Sequence, residues 1–405
     1  MIIYKPRIKE IDSKICITAE IELKKQIPGI PKTLWYEVPK KYKKYISKNS
    51  DCFLVAMIHL AMYLKEDIEI KGSISQKLFY SIKEYQAIYN SWVPKIFKKI
   101  IKIKCNDLKK SIGKGKKGVT CSFSGGVDST YTFYKHLPKY ESNKDYQLNS
   151  VLFIHDYLFS PKEKENYDVA KEKFENIVKE HKLNFIPIRT NASYFRVERF
   201  PEWVELTFGS YLISCVLVLS NSISKFYVSS SYDYSNLGPC GVHPMSDYLL
   251  STESLDIVHD GAGVSRLKKI RFISKIPETY SFLRTCWKIK NKFVNCGACE
   301  KCIRTMVSLS LFNRLHLYTT YPSKLKRKLI RKTYLTKYNI CFAKENIRFA
   351  KKINKRKISF DLKYAIFRSK FIVPILKEMW KHSASLKKKS KLYTKFVRIV
   401  KNDNS

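Results

Sequence analysis

The sequence predicts an α/β protein: a parallel sheet covered by helices, preceded by an α+β segment and followed by a basic helical extension. Two observations predict the central part. Between Gly118 and Ser230, four short apolar runs suited to buried strands alternate with helical stretches. Repeated β-α units of this kind imply parallel strands with helices on both faces. A glycine pair also stands where the first of those strands meets its helix. A third observation sets the flanks. Residues 1–110 mix strand and helix without that alternation, and after about residue 307 the chain reads helical and increasingly basic. The expected domains are therefore 1–110, 118–310 and 311–405.

In order, residues 15–23 alternate apolar and polar side chains like a half-buried strand. Residues 33–38 form a second strand, stopped by Pro39. An apolar helix is expected over 53–64, a short strand over 68–72 and an amphipathic helix over 76–92. Residues 97–104 read as a strand, and the lysine- and glycine-rich 111–118 as a linker. That linker matches G-x-G-x-x-G at Gly113, Gly115 and Gly118. It precedes a strand instead of following one, so it is rejected as a dinucleotide fingerprint. The four strands of the α/β part are expected at 119–124, 150–155, 184–189 and 225–230, and its helices at 128–136, 161–181 and 205–222.

The 405 residues carry 77 Lys+Arg against 35 Asp+Glu, a formal net charge of +42. The 44% of hydrophobic residues excludes global disorder, and 13 Gly with 14 Pro exclude a collagen-like chain. Residues 321–405 hold 26 Lys+Arg and 4 Asp+Glu, so about half the excess sits in the last fifth. The charge suits an anionic partner, whether nucleic acid, a membrane surface or a phosphorylated ligand. Part of it is also what an AT-rich coding sequence would produce. The 11 cysteines argue for free thiols and a metal cluster in a reducing cytoplasm over a disulfide framework. No secretory signal opens the sequence. The most apolar stretch, 206–219, includes Thr207, Gly209, Ser210 and Ser214. A membrane span needs roughly 20 apolar residues, so it reads as a buried helix.

The most informative stretch is Cys121-Ser-Phe-Ser124-Gly125-Gly126-Val127-Asp128-Ser129-Thr130. Glycines let a backbone turn tightly and bring its N–H groups close to a ligand. The following helix adds unpaired donors and the positive end of its dipole. Hydroxyls of Ser124, Ser129 and Thr130 complete a site suited to a pyrophosphate-type oxyanion. No Gly-Lys-Ser/Thr is present, so it is not a Walker A loop. The segment resembles the PP-loop, S-G-G-x-D-S, of the ATP-pyrophosphatase superfamily, with Ser124, Gly125, Gly126, Asp128 and Ser129 matching. The resemblance implies a Rossmann-like three-layer α/β/α domain that splits ATP to AMP and pyrophosphate. Ser124, Asp128 and Ser129 become the candidate catalytic residues, and Ser124, Gly125, Gly126, Val127, Asp128, Ser129 and Thr130 the candidate ATP contacts. Asp128 is expected to orient the loop, cap its helix or help hold Mg²⁺.

Cys286 is followed by Cys296-Gly-Ala-Cys299-Glu-Lys-Cys302, a C-x9-C-x2-C-x2-C spacing. Four thiolates make a closed tetrahedral zinc site; free thiols, or an iron–sulfur cluster on the same ligands, are the alternatives. The PP-loop and this late cluster, with Arg304 close behind, together resemble the 7-cyano-7-deazaguanine synthase family. The resemblance covers roughly 118–310. It implies adenylation of a carboxylate or carbonyl oxygen of a small-molecule acceptor, then amidation by ammonia or another amine. Asp233-Tyr-Ser-Asn-Leu-Gly-Pro-Cys240 is similar to a D-Y-S-x-x-x-x-C segment of that family, which puts Asp233 in the substrate pocket. The run Ile154-His-Asp-Tyr-Leu158 departs from the family's Tyr-Gly-Gln-Arg-His-like run, and both flanks lie outside the resemblance. The chain therefore looks like a divergent relative.

His155 and Asp156, after the second strand, are candidate adenine and substrate contacts; otherwise they are loop polars. His243, with Asp247, and the His259-Asp260-Gly261 run are expected after later strands, as substrate contacts or turn formers. Arg284 and Arg304 either neutralise the thiolates or contact phosphate. Cys121 is expected in the core. Two other readings stay open. One keeps the fold but acts on tRNA by thiolation or ligation, motivated by the charge. The other is a non-enzyme in which 321–405 contacts an anionic surface through residues such as Phe371-Ile-Val-Pro-Ile-Leu376 and Trp380.

Overall fold

The computed structural model describes residues 1–110, 118–155, 164–196, 203–286 and 293–376. The strands are β1 (Ile2–Ile3), β2 (Arg7–Ile11), β3 (Lys14–Glu22), β4 (Thr33–Pro39), β5 (Ile68–Ser75), β6 (Ile103–Lys109), β7 (Gly118–Ser122), β8 (Ser150–His155), β9 (Asn184–Thr190), β10 (Ile223–Ser229) and β11 (Asp256–Asp260). The helices are α1 (Asp51–Leu64), α2 (Gln76–Trp92), α3 (Val127–Lys135), α4 (Lys164–Glu180), α5 (Trp203–Leu217), α6 (Arg266–Ile273), α7 (Glu300–Leu311), α8 (Arg327–Lys332), α9 (Ile340–Lys352) and α10 (Arg356–Phe367).

All described strands belong to one sheet, ordered β11-β10-β7-β8-β9-β4-β3-β1-β5-β6, with β2 pairing β3. From β11 to β9 the pairing is parallel throughout. Numbered along the chain, these five strands lie in the order 3-2-1-4-5 of a Rossmann-like, doubly wound sheet. The winding reverses beside β7, the strand that leads into the glycine turn.

The alternation of β8 shows why helices cover both faces. Leu152 and Ile154 join the apolar cluster that contains α1 and α5. Phe153 points the other way and packs on Phe174 of α4, which also meets Phe123; Phe123 in turn lies against Phe133 of α3. Strands buried on both sides read as continuous apolar runs, as these do. Helix α1 is buried on every side from Asp51 to Met62, which explains its lack of a polar stripe.

Two expected elements move. The strand expected over 97–104 begins only at Ile103. Phe97 instead turns inward after α2, its N–H donating to the Val93 carbonyl, and packs against His59, Tyr89 and Trp203. His259 and Asp260, expected after a strand, are the last two residues of β11.

The chain divides into two compact units, Met1–Ser124 with Thr132–Gly263, and Gly125–Tyr131 with Val264–Ser405. This differs from the expected borders in two ways. The first 110 residues are not separate, because β4 pairs antiparallel with β9 and carries the sheet into β3, β1, β5 and β6. Nor does residue 310 mark an edge. Cys302, Met306 and Leu309 of α7 bury against Ile270, Leu283 and Tyr318, while Ile303, Val307 and Leu311 bury against Ile330, Ile347 and Leu362. A helix apolar on two sides needs partners on both, so the cysteine region and the basic helices share one unit. Among the described residues no helix is long and apolar enough to cross a membrane. None of the 11 cysteines, all among the described residues, is in a disulfide.

Candidate functional site

The glycine turn is built as its residues require. After β7, the Phe123 N–H donates to Leu152 O, and Gly125 adopts φ +71°, a left-handed conformation that a Cβ disfavours. Helix α3 follows at once, with the Thr130 N–H on Gly126 O at 2.9 Å. The Ser129 hydroxyl donates back to the same carbonyl at 3.3 Å. Thr130 is fully buried, and its hydroxyl has no hydrogen-bond partner.

Asp128 lies in the first turn of α3. Its Oδ2 accepts from Arg266 Nη1 at 2.7 Å, and its Oδ1 lies 3.8 Å from Lys269 Nζ. Arg266 and Lys269 are themselves buried. Burial pushes the Asp128 pKa up, but the charges of Arg266, Lys269 and Arg304 outweigh it and hold the carboxyl below its ordinary range. Of the roles expected for Asp128, this geometry fits orientation of the loop. It does not fit Mg²⁺, since a carboxylate already clasped by two cations offers a divalent ion little. The Arg284 N–H donates to Gly125 O at 2.8 Å, anchoring the turn from the other side. The Arg284 guanidinium lies over the ring of Phe293, and Arg304 lies 3.4 Å from Glu300 and over the ring of Phe342.

The four cysteines converge. Their sulfurs all lie within 4.8 Å of one another, with Cys286–Cys299 at 3.9 Å, Cys296–Cys302 at 3.8 Å and Cys299–Cys302 at 3.3 Å. A tetrahedral zinc with Zn–S of about 2.3 Å has S–S edges of about 3.8 Å, so the four sites match one ion of that kind. A multi-iron cluster bound through one thiolate per iron would hold its sulfurs farther apart. Gly297, at φ +66°, makes the tight turn between the second and third ligands, and the Cys299 N–H donates to Cys296 Sγ at 3.3 Å. Asn295 braces the knot. Its Oδ1 accepts from the N–H groups of Thr285 and Cys286, and its Nδ2 donates to the carbonyls of Leu283 and Thr320.

His155 is buried at the end of β8, stacked on Tyr167 at 4.0 Å, and its Nδ1 accepts from Arg189 Nε at 3.3 Å. These three residues line a cavity of about 350 Å³ together with Lys14, Glu37 and Asp168. Asp156 lies outside the described residues. Asp233 Oδ1 accepts from Ser235 N, Ser235 Oγ and Asn236 Nδ2, so it closes its own turn. His243 is likewise in a turn, Nδ1 accepting from the Met245 N–H and the ring edge-on to Trp92. Burial lowers its pKa, and the nearby His259 adds to this. Cys121 is buried in β7, as expected.

Sequence reasoning missed Arg266 and Lys269, which stand 138 and 141 positions after their partner Asp128, and Asn295, one residue before a ligand. Asp260, singled out in the His259–Gly261 run as a substrate contact or turn former, instead accepts from Thr132 and Lys135 of α3 and from His136 just after it. Burial pushes the Asp260 pKa up, but His136 and Lys135 outweigh it and hold the group well below the usual carboxylate range. Only pairing in the fold distinguishes these residues from ordinary charges. No known family model, curated protein or solved structure matches the chain.

Proposed function

We propose that this protein is an ATP-dependent enzyme that adenylates a carboxylate or carbonyl oxygen and then forms a C–N bond. The observation that carries the reading is the Ser124–Ser129 motif, placed directly after the strand beside which the winding reverses. Ligands of doubly wound sheets bind at the carboxyl ends of strands near that reversal. ATP would supply an electrophilic α-phosphorus and pyrophosphate as leaving group. The left-handed Gly125 and the amides at the N-terminal end of α3 would receive phosphate oxygens. Asp128, fixed by Arg266, would hold that turn in place, and Arg266 would add positive charge behind it. The acceptor oxygen would attack phosphorus, and an amine would then displace AMP from the activated carbon. The four cysteines would hold Zn²⁺ with every position filled, lending rigidity and leaving no open site for a reaction.

Turnover of ATP with ammonium and carboxylate or carbonyl acceptors should release AMP and pyrophosphate, read by anion-exchange chromatography. ADP and phosphate as the only products would refute the reading. Ser124→Ala should slow ATP cleavage about 100-fold, the usual loss for one donor to developing charge, with thermal unfolding unchanged. The charge of +42 supports a second acceptor class, a tRNA base. It would be favoured by tRNA affinity tighter than about 10⁻⁸ M that survives physiological salt.

A further inference from the structure

Helix α10 and the segment after it present two unlike faces. Ser359, Asp361, Leu362, Ala365, Ser369 and Val373 are buried. Interleaved with them, Phe360, Tyr364, Phe367, Phe371 and Ile375 are between 40% and 59% exposed. Their spacing of four, three, four and four positions makes one apolar stripe along the helix. It continues through a wider π-helical turn over Arg368–Ile372, where the rings of Phe367 and Phe371 lie 5.3 Å apart. The stripe thus begins eleven residues before the segment expected from sequence, and Trp380 lies outside the described residues.

The rim of the stripe is basic. Arg356, Lys357, Lys363 and Lys370 are exposed along it. Between residues 356 and 376 the one acidic side chain is Asp361, which is buried and held by Arg327 at 2.6 Å and Arg331 at 2.5 Å. No exposed negative charge therefore lies on this stretch of helix. A second copy of the same face would set like charges against each other. A nucleic-acid backbone would satisfy the lysines and leave five large apolar side chains in water. Anionic phospholipid answers both features, with aromatic rings entering the headgroup–acyl boundary and lysines meeting lipid phosphates. We propose that this face docks the protein on a membrane surface bearing anionic headgroups.

The test is flotation of the full chain with vesicles of phosphatidylcholine alone and with about one-third phosphatidylserine. Partitioning should be at least tenfold stronger on the anionic vesicles. The triple substitution Phe360→Ser, Phe367→Ser and Phe371→Ser should reduce it at least tenfold, as should Lys363→Glu with Lys370→Glu. All of these side chains are exposed, so circular dichroism should stay unchanged. Three results would overturn the proposal. These are absence of wild-type binding, equal binding by the triple variant, and a lipid-free dimer that the triple variant dissociates.

Discussion

The four-cysteine centre and the glycine turn are fastened by different means, although each depends on one left-handed glycine. The centre draws its ligands from seventeen consecutive residues, Cys286 to Cys302, and its brace, Asn295, lies among them. Little of it depends on distant chain. The turn has the right local shape, but its charge balance comes from Arg266 and Lys269 on another helix. A locally closed site can be recognised from spacing. A site neutralised at long range shows half of itself in the sequence.

The sharpest way to break this contrast is to remove one thiolate. Cys302→Ser should lower bound zinc from one per chain to near zero by elemental analysis. It should also expose α7 amides to hydrogen exchange, since structural zinc sites contribute apparent free energies of about 10 kcal/mol. Full metal content in that variant would mean that the four sulfurs do not act together.

Asp128→Ala should cost about 3–5 kcal/mol in urea unfolding, because it leaves Arg266 buried without its counter-charge. The pH dependence sharpens the point. The carboxyl pKa is lowered on folding, so its contribution is present above the unfolded value near 3.9 and lost as pH falls through the folded one. Wild type and Asp128→Asn should therefore differ most above about pH 4 and converge in stronger acid. A constant gap down to pH 2 would remove the ion pair as the cause.

The smallest effect compares the glycines. Gly125→Ala should cost about 1 kcal/mol, the strain of a left-handed residue with a Cβ. Gly297→Ala should cost more, since its Cβ would also meet Pro322 at 2.5 Å. Thermal unfolding of the two variants gives the order directly.

Much of the fold was open to the sequence for the same local reason. Helix α2 spans the residues its periodicity marks, and β8 and β9 fall within a residue of their apolar runs. Phe97 misled because a buried aromatic in a turn has the same composition as a strand residue. The domain borders misled because composition changes near residues 110 and 310, while strand pairing and the two-sided burial of α7 cross both. At the candidate site the glycine conformation and thiolate convergence followed from residue type. Asp233 and His243 were singled out by resemblance and position, and the fold employs both in turns.

The pairing of β4 with β9 has a consequence for synthesis. Asn191 bonds Trp35 and Thr33 from 156 and 158 positions downstream. At about 5–20 residues per second, β4 emerges roughly ten to thirty seconds before its neighbour exists. During that interval its backbone donors and acceptors form an open edge, able to capture the strand of another nascent chain. Slower elongation between these two segments would lengthen the exposure, so the yield of correctly folded protein should depend on translation speed.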